Sequence, residues 1–358
     1  MGTLKINVKN IIGNIRKLNK YFSDQNVEWS LITKMFGGDK EVLEKILVDE
    51  SIKNIHSIGD ARISNLRTIK KINPELVTMY IKPPAVNQVP NIIKYADISM
   101  NSSYETIAEL NKEAKKYGKV HRVIVMIEMG ELREGILREN IVDFYQRIFE
   151  LENISVIGLG TNLGCMYGIE PTYDKLIQLS LFRLLLEEKF KRKIELISGG
   201  SSITLSLLKQ NRLPKGINHL RIGETAFFGK DLITGKQFKN LSQNTFDFSA
   251  EILELEWKSN QPDGVQSDAS IGHTVDYEKL PLESWRAIAD FGVMDVDVND
   301  LTPKDKDVKF FGTTSDMTVY TLGENKKKYK VGEKIHFNPN YMAIARLMNS
   351  RYVTREFV

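Results

Sequence analysis

Short apolar runs alternate with amphipathic stretches over the first two thirds of the chain. The amphipathic stretches carry apolar residues three and four positions apart, as at Ile11, Ile15, Leu18 and Phe22, and this spacing predicts helices. The apolar runs between them are shorter and predict buried strands. Eight such runs occur, at residues 29–33, 54–58, 76–81, 98–100, 122–129, 155–159, 194–198 and 219–222.

The regular alternation of these elements indicates the fold class. Eight strand–helix units within about 230 residues match the size and rhythm of a closed (β/α)8 barrel of the TIM type. An open, doubly wound parallel sheet has the same alternation and is the alternative. The number of units favours the barrel.

The pattern changes after Gly229, where alternating apolar and polar residues replace the helical spacing. Short strand candidates follow at residues 246–257, 286–291, 309–311, 318–322 and 334–337, and turn sequences separate them. This pattern predicts a smaller, mostly β C-terminal domain. We therefore divide the chain into a barrel, residues 1–231, and a β-rich domain, residues 232–358.

Composition and charge narrow the class of protein. The chain has 358 residues, of which 42% are hydrophobic and 27% charged, as in folded proteins rather than disordered ones. Fifty Lys and Arg residues against 46 Asp and Glu residues are too even a balance to indicate nucleic-acid binding. With one cysteine and five scattered histidines, no metal site is predicted. Neither a signal peptide nor a membrane-spanning run is recognisable, so we expect a cytoplasmic protein that does not bind membranes.

Polar residues beside glycines follow several predicted strands, at the barrel edge where such folds carry their active sites. Lys34 follows the first strand. Ser198-Gly-Gly-Ser-Ser202 follows the seventh, and Arg221-Ile-Gly-Glu-Thr225 follows the eighth. Small residues there let backbone N–H groups approach an anion, and barrels often bind phosphate between these two loops. A lysine near a phosphate-bearing aldehyde can form an imine, so the combination favours a phosphorylated aldehyde cofactor.

These segments, together with Glu128-Met-Gly-Glu-Leu-Arg133, Gly158-Leu-Gly-Thr-Asn162 and Phe311-Gly-Thr-Thr-Ser315-Asp316, carry a family resemblance. The chain resembles the alanine racemase family of pyridoxal 5'-phosphate barrels. Within that family it is most similar to the branch of ornithine racemases and some racemases of other basic amino acids. The resemblance spans nearly the whole chain, and the order and spacing of the motifs make it specific.

The resemblance implies roles for individual residues. Lys34 matches the lysine that binds the cofactor aldehyde and serves as one of two proton-transfer bases. Arg221 matches the arginine that faces the pyridine nitrogen, Asn162 falls where alanine racemases have a ring-contacting histidine, and Arg133 matches an arginine near the substrate carboxylate. The remaining cofactor positions, at the phosphate, are Ser201, Ser202, Gly223 and Glu224.

The sequence departs from the family at two positions. Alanine racemases place a catalytic tyrosine in the β domain, contributed across a head-to-tail dimer, and Asp295 occupies that position here. Either Asp295 is the second base or a tyrosine elsewhere, Tyr320, Tyr341 or Tyr352, replaces it. Gly38 stands where alanine racemases have a phosphate-binding tyrosine.

These departures make alanine a less suitable substrate and suggest a larger, more acidic pocket. Asp295, Asp297 and Asp316 could pair with the distal ammonium of ornithine or lysine. Ser315 and Asp316 are therefore predicted to bind the substrate, as is Arg133.

The predicted function is the interconversion of L- and D-ornithine by two-base proton transfer at Cα, in a head-to-tail homodimer. A broad-specificity racemase of lysine, arginine or alanine is an alternative. A non-enzymatic protein of pyridoxal phosphate homeostasis is a second alternative, which the β-rich domain disfavours. A related decarboxylase or aldolase-like lyase is the third.

Overall fold

The computed structural model describes residues 2–267 and 272–358. Its strands, in chain order, are β1 (Thr3–Ile6), β2 (Glu28–Ile32), β3 (Ser57–Asp60), β4 (Thr78–Tyr80), β5 (Ile98–Asn101), β6 (His121–Met126), β7 (Ile154–Gly160), β8 (Leu196–Ser201), β9 (His219–Ile222), β10 (Phe246–Ser259), β11 (His273–Thr274), β12 (Glu283–Ala289), β13 (Leu301–Pro303), β14 (Lys309–Thr313), β15 (Thr318–Thr321), β16 (Lys334–Pro339) and β17 (Thr354–Phe357). Its α-helices are α1 (Val8–Asp24), α2 (Lys40–Leu47), α3 (Ile63–Ile72), α4 (Val89–Tyr95), α5 (Tyr104–Lys116), α6 (Ile141–Ile148), α7 (Tyr173–Phe190), α8 (Leu205–Lys209), α9 (Glu224–Phe228) and α10 (Tyr341–Leu347).

Strands β2 to β9 form a closed barrel in sequence order, and β9 returns to pair with β2. Every neighbouring pair is parallel. Each of the eight predicted strands overlaps one barrel strand, so the predicted barrel is confirmed and the open sheet is excluded. In a parallel barrel all strand carboxyl ends share one edge, which brings the predicted motifs to the same side.

The amphipathic pattern of the first helix matches its burial. Helix α1 buries Ile11, Ile15, Leu18 and Phe22, the residues whose spacing predicts it. The barrel interior contains a central apolar cluster, which consists of Met79, Ile98, Met100, Ile124, Met126, Ile157 and Leu196. This close-packed interior fixes the strand ends, and with them the side chains at the edge.

The remaining strands form a mixed nine-stranded sheet with the order β11-β14-β15-β12-β10-β1-β17, to which β16 and β13 attach beside β10. Strand β1 pairs antiparallel with β10 and parallel with β17, so the first and last strands of the chain are neighbours. The prediction that the C-terminal domain consists mostly of β-strands is thus confirmed. The sequence pattern did not predict β1 or β17.

Two compact units result. One comprises residues 10–34 and 38–243, and the other comprises residues 1–9, 35–37 and 244–358. In the second half of the chain the β-rich unit begins at residue 244, and the amino-terminal strand belongs with it. No helix in the described part of the chain combines the length and the apolar character needed to cross a bilayer.

Candidate active site

Lys34 lies at the carboxyl edge of the barrel, two residues after β2, where it begins a single 3-10 turn and is exposed. Thr33, just before it, is buried. Its N–H donates to the carbonyl of Gly59 at 2.9 Å and its hydroxyl to the carboxyl of Asp60 at 3.2 Å. These two bonds tie the end of β2 to β3, and so the backbone that carries Lys34 is fixed.

The loop after β9 adjoins the end of β2. A Cβ added to Gly223 would lie 3.0 Å from the carbonyl oxygen of Ile32, so the backbones approach closely. Glu224 follows Gly223. Burial raises the pKa of its carboxyl, and the nearby charges of Lys230 and Lys34 oppose that rise. The positive charge of Lys34 thus acts on the first residue of α9, in the predicted phosphate loop.

A bulge in β8 positions the serines of the other predicted phosphate loop. Ser198 pairs with His219 but Ser201 pairs with Arg221, so β8 has one residue more than β9 between these pairs. Gly200 within the bulge has a φ of +123°, and a Cβ there would meet the Thr204 hydroxyl at 2.5 Å. Only glycine satisfies both conditions without strain.

Ser202 is buried and its hydroxyl oxygen lies 3.3 Å from the backbone nitrogens of both Gly223 and Thr225. Two N–H donors from the β9 loop therefore converge on a hydroxyl from the β8 loop. This donor set fits a phosphate group, which accepts hydrogen bonds from N–H and O–H donors alike. Together with Lys34 for an aldehyde, the residues present fit the cofactor that the sequence predicts.

Arg221 is only 6% exposed and is held at both terminal nitrogens. Nη1 donates to the Ser198 hydroxyl at 2.6 Å, and Nη2 donates to the carbonyl of Thr161 at 2.8 Å. Burial lowers the pKa of Arg221 to about 10, and the negative charge of Glu134 partly opposes this, so the guanidinium stays charged at neutral pH. Within residues 2–267 and 272–358, no further hydrogen-bond partner of this guanidinium is found. Its other N–H groups can therefore serve a ligand.

The predicted substrate arginine, Arg133, belongs to a polar cluster. With its amide oxygen turned toward the guanidinium, Asn162 accepts a hydrogen bond of 3.0 Å from Arg133 Nη1. The Cys165 sulfur lies 2.7 Å from the same nitrogen, and Glu134 pairs with the guanidinium through both carboxylate oxygens. The bond to Glu134 raises the pKa of Arg133. Glu134 was missed in the sequence, although an acidic residue next to a predicted ligand-binding arginine was a usable signal.

Glu131 was also missed, and it organises the loop after β7. Its buried carboxylate accepts hydrogen bonds from five successive backbone N–H groups, those of residues 164–168, at 2.5 to 3.2 Å. Burial alone would raise the pKa of Glu131, but these donors outweigh it and lower the pKa. The charged carboxylate therefore fixes the loop that places Cys165 beside Arg133.

The other predicted site residues lie in the β-rich unit. The N–H groups of Val293 and Met294 donate to the carbonyls of Thr314 and Ser315 at 3.0 and 3.1 Å. Within this unit the segment that ends at Asp295 thus lies against the loop that contains Ser315 and Asp316. The exposed Asp316 accepts a bond of 2.7 Å from the Ser315 hydroxyl.

Asp295 is half-buried and accepts hydrogen bonds from the Ser350 hydroxyl at 2.7 Å and from the Gly292 N–H at 3.3 Å. Asp297 instead pairs with Arg346 at 3.3 Å and accepts from the N–H of Asn299, so its carboxylate already has a structural role. Tyr320 is 2% exposed, packs among aromatic rings, and has its pKa raised by burial. A tyrosine in that position is a core residue and cannot readily exchange protons.

The fold and this donor set fit one class of protein, the pyridoxal phosphate-dependent amino-acid racemases with a barrel fold, and the relatives of the chain belong to that class. The chain belongs to the alanine racemase family: the family model "Alanine racemase, N-terminal domain" matches residues 6–231. The predicted resemblance is thus confirmed.

Among curated relatives, the chain is 31% identical to the ornithine racemase of Acetoanaerobium sticklandii over 330 residues, 92% of each chain. It is also 31% identical to the lysine racemase of Thermotoga maritima over 354 residues, 99% of this chain and 98% of that one. Among solved structures, the alanine racemase of Bartonella henselae with covalently bound pyridoxal phosphate superposes with a TM-score of 0.74 at 14% identity. That match covers 100% of this chain and 99% of the other, and it reflects the shared fold.

Proposed function

We propose that the protein interconverts L- and D-ornithine. The observation that carries this proposal is the convergence, at one edge of the barrel, of Lys34, the N–H donors of Gly223 and Thr225, and the charged Arg221. The choice of ornithine is supported by the similarity to an ornithine racemase along 92% of the chain. Lysine is the second candidate, because the similarity to a lysine racemase is equal in identity and longer.

The cofactor, when bound, withdraws electron density from the substrate Cα and makes its hydrogen acidic. Ser201, Ser202, Gly223 and Glu224 would surround its phosphate, and the cation of Arg221 would face its ring nitrogen and keep that nitrogen unprotonated. Asn162 would orient Arg133, whose guanidinium would pair with the substrate carboxylate. Lys34 would remove or return the Cα proton on one face.

We assign the second base to Asp295. The bonds from Ser350 and Gly292 hold its carboxylate in one orientation, as a positioned base requires. Ser315 and Asp316, which adjoin the same segment, would contact the substrate side chain. We further propose a head-to-tail homodimer, in which the β-rich unit of one subunit supplies these residues to the barrel of the other, and a cytoplasmic location.

The direct test is to incubate the purified protein, with added pyridoxal phosphate, with L-ornithine, L-lysine, L-arginine or L-alanine and to quantify both enantiomers by chiral chromatography. We expect racemisation to be fastest with ornithine. Lys34→Ala should lose both the activity and the absorbance band of the bound cofactor. Lys40→Ala removes an exposed lysine that pairs with Glu44 in the next turn, and it should retain both. Faster racemisation of lysine would transfer the assignment to lysine, and no racemisation of any of the four would refute the proposal.

A further inference from the structure

A row of hydrogen-bonded side chains runs through the barrel interior below Arg221. Ser198, which accepts from Arg221 Nη1 at 2.6 Å, lies 2.9 Å from Nδ1 of His219. Nε2 of His219 lies 2.8 Å from the Ser30 hydroxyl, and Ser30 lies 2.6 Å from the hydroxyl of Ser57. Ser198, His219 and Ser30 are completely inaccessible to solvent. The row thus connects β9, β8, β2 and β3 through direct contacts between side chains.

The direction of every hydrogen bond in this row follows from its arginine. A guanidinium can only donate, so the Ser198 oxygen accepts from it and the Ser198 hydrogen must go to another acceptor. The Ser198 oxygen could also accept from a hydrogen on His219 Nδ1, but its own buried hydrogen would then have no acceptor among the described residues. His219 Nδ1 is therefore the acceptor and carries no hydrogen. In a neutral imidazole the hydrogen then resides on Nε2, which donates to Ser30, and Ser30 donates to Ser57.

The imidazole is neutral at physiological pH. Burial lowers the pKa of His219 well below its usual value, and the nearby His56 and Arg221 lower it further. A protonated ring would place a second donor against Ser198, whose hydrogen would then lose its acceptor. The geometry and the charge distribution thus favour the same tautomer.

We propose that His219, fixed as its Nε2–H tautomer, is a positioning residue that keeps Ser198 oriented as an acceptor and thereby holds Arg221 for the cofactor ring. The role of Arg221 rests on the proposed function, but the tautomer of His219 does not. An ordinary buried histidine needs only to fill its space. A positioning histidine must specifically offer an acceptor at Nδ1.

Two substitutions separate these alternatives. In His219→Asn the amide oxygen reaches the position of Nδ1, so the acceptor for Ser198 is kept while the bond to Ser30 is lost. In His219→Gln the amide nitrogen reaches the position of Nε2, so the bond to Ser30 is kept while the acceptor for Ser198 is lost. Glutamine is closer to histidine in volume. If the residue only packs, His219→Gln is the milder change.

We therefore expect the reverse order in the holoenzyme. His219→Gln should weaken pyridoxal phosphate binding about tenfold, the loss expected for one hydrogen bond in a charged network, and should change the absorbance of the bound cofactor. His219→Asn should bind nearly as the wild type does. Equal losses, or a larger loss in His219→Asn, would refute the positioning role. If His219→Gln does not fold, Ser198→Ala removes the same support for Arg221 and should give the same weakening.

The tautomer is measured independently by nitrogen NMR of histidine-labelled protein without cofactor, with the His219→Asn spectrum used for assignment. We expect Nδ1 to show the shift of a bare nitrogen and Nε2 that of an N–H. The opposite pattern, or a charged ring, would overturn the inference even if racemisation is found. If NMR shows the expected pattern but the protein has no racemase activity, the tautomer of His219 is confirmed and only the proposed function is refuted.

Discussion

At the scale of single residues, Asp60 shows how the barrel interior controls a charge. This carboxyl group ends β3, is completely buried, and accepts hydrogen bonds from the Arg62 N–H, the Asn65 amide and the Thr33 hydroxyl. Burial is the larger effect and raises the pKa of Asp60 to about 6, although these bonds lower it. The folded protein therefore holds the Asp60 proton at pH values where the unfolded chain has released it.

This difference predicts a specific pH dependence of stability. Between about pH 4 and pH 6 the folded state binds more protons than the unfolded state, so the Asp60 contribution to the free energy of unfolding falls as pH rises. A shift of about two units corresponds to a loss of up to about 3 kcal/mol. Asp60→Asn removes this effect. In urea unfolding, the free energy of unfolding of the variant minus that of the wild type should therefore increase as pH rises from about 4 to about 6. Asp263→Asn, at an exposed position, is the control. If the difference in free energy of unfolding between Asp60→Asn and the wild type does not change with pH, the raised pKa of Asp60 is contradicted.

The two proposed bases can be separated by isotope exchange. Asp295→Asn should abolish racemisation, because one face of Cα loses its base. It should still exchange the Cα hydrogen of one ornithine enantiomer with deuterium from the solvent, because Lys34 remains. Mass spectrometry combined with chiral separation measures both quantities. Asp297→Asn is the matched control because Asp297 pairs with Arg346, and it should racemise ornithine. Full racemisation by Asp295→Asn would exclude it as the second base.

At the scale of elements, Asn65 of α3 explains why position 38, four residues after Lys34, is a glycine. A Cβ at Gly38 would lie 2.3 Å from the amide oxygen of Asn65, and Gly38 has a φ of +77°. Asn65 cannot easily move because its amide also donates to Asp60 at 3.0 Å. The family tyrosine therefore has no room at position 38. In this chain the space beside position 38 is occupied by Asn65 of α3.

This packing makes Gly38→Ala more costly than its backbone conformation alone requires. Gly118 has a φ of +59° and nothing within 4 Å of an added Cβ, so Gly118→Ala measures the backbone penalty, about 1 kcal/mol. Gly38→Ala should cost about 2 to 4 kcal/mol, since it adds overpacking against Asn65. Urea unfolding of both variants provides the comparison. Equal losses would show that Asn65 moves aside at little cost.

The elements of the barrel were predictable because each has a strong local pattern. The apolar run of β6 and the spacing of α1 each specify one structure, and eight repeats specify the barrel. Lys34 and the serine and arginine loops were predictable from their positions at strand ends. The residues that support them were not predictable from the sequence. Glu131, Asn65 and His219 come close to the site residues only when the chain folds. Strand β1 was missed for the same reason: four residues show no pattern without their distant neighbours.

At the scale of the whole molecule, the proposed sharing of the active site between subunits can be tested by complementation. Lys34→Ala and Asp295→Asn subunits should each be inactive as homodimers. After joint unfolding and reassembly at equal concentrations, half of the dimers are mixed, and each mixed dimer has one site with both residues intact. We therefore expect the mixture to have about a quarter of the wild-type activity. Light scattering should give the mass of a dimer for the refolded protein. No recovered activity from refolded dimers would place both residues in one subunit's site.

The pairing of β1 with β10 and β17 also has a consequence for synthesis on the ribosome. The barrel unit, residues 10–34 and 38–243, can close before the last strands of the β-rich unit have been made, because domains generally fold as they emerge from the ribosome. Strand β1 precedes the barrel in the sequence but must remain unpaired until Phe246–Ser259 has been made, and its second partner, Thr354–Phe357, is made later still. The β-rich unit, and any function that depends on it, therefore forms only after the barrel and only once Thr354–Phe357 has been made.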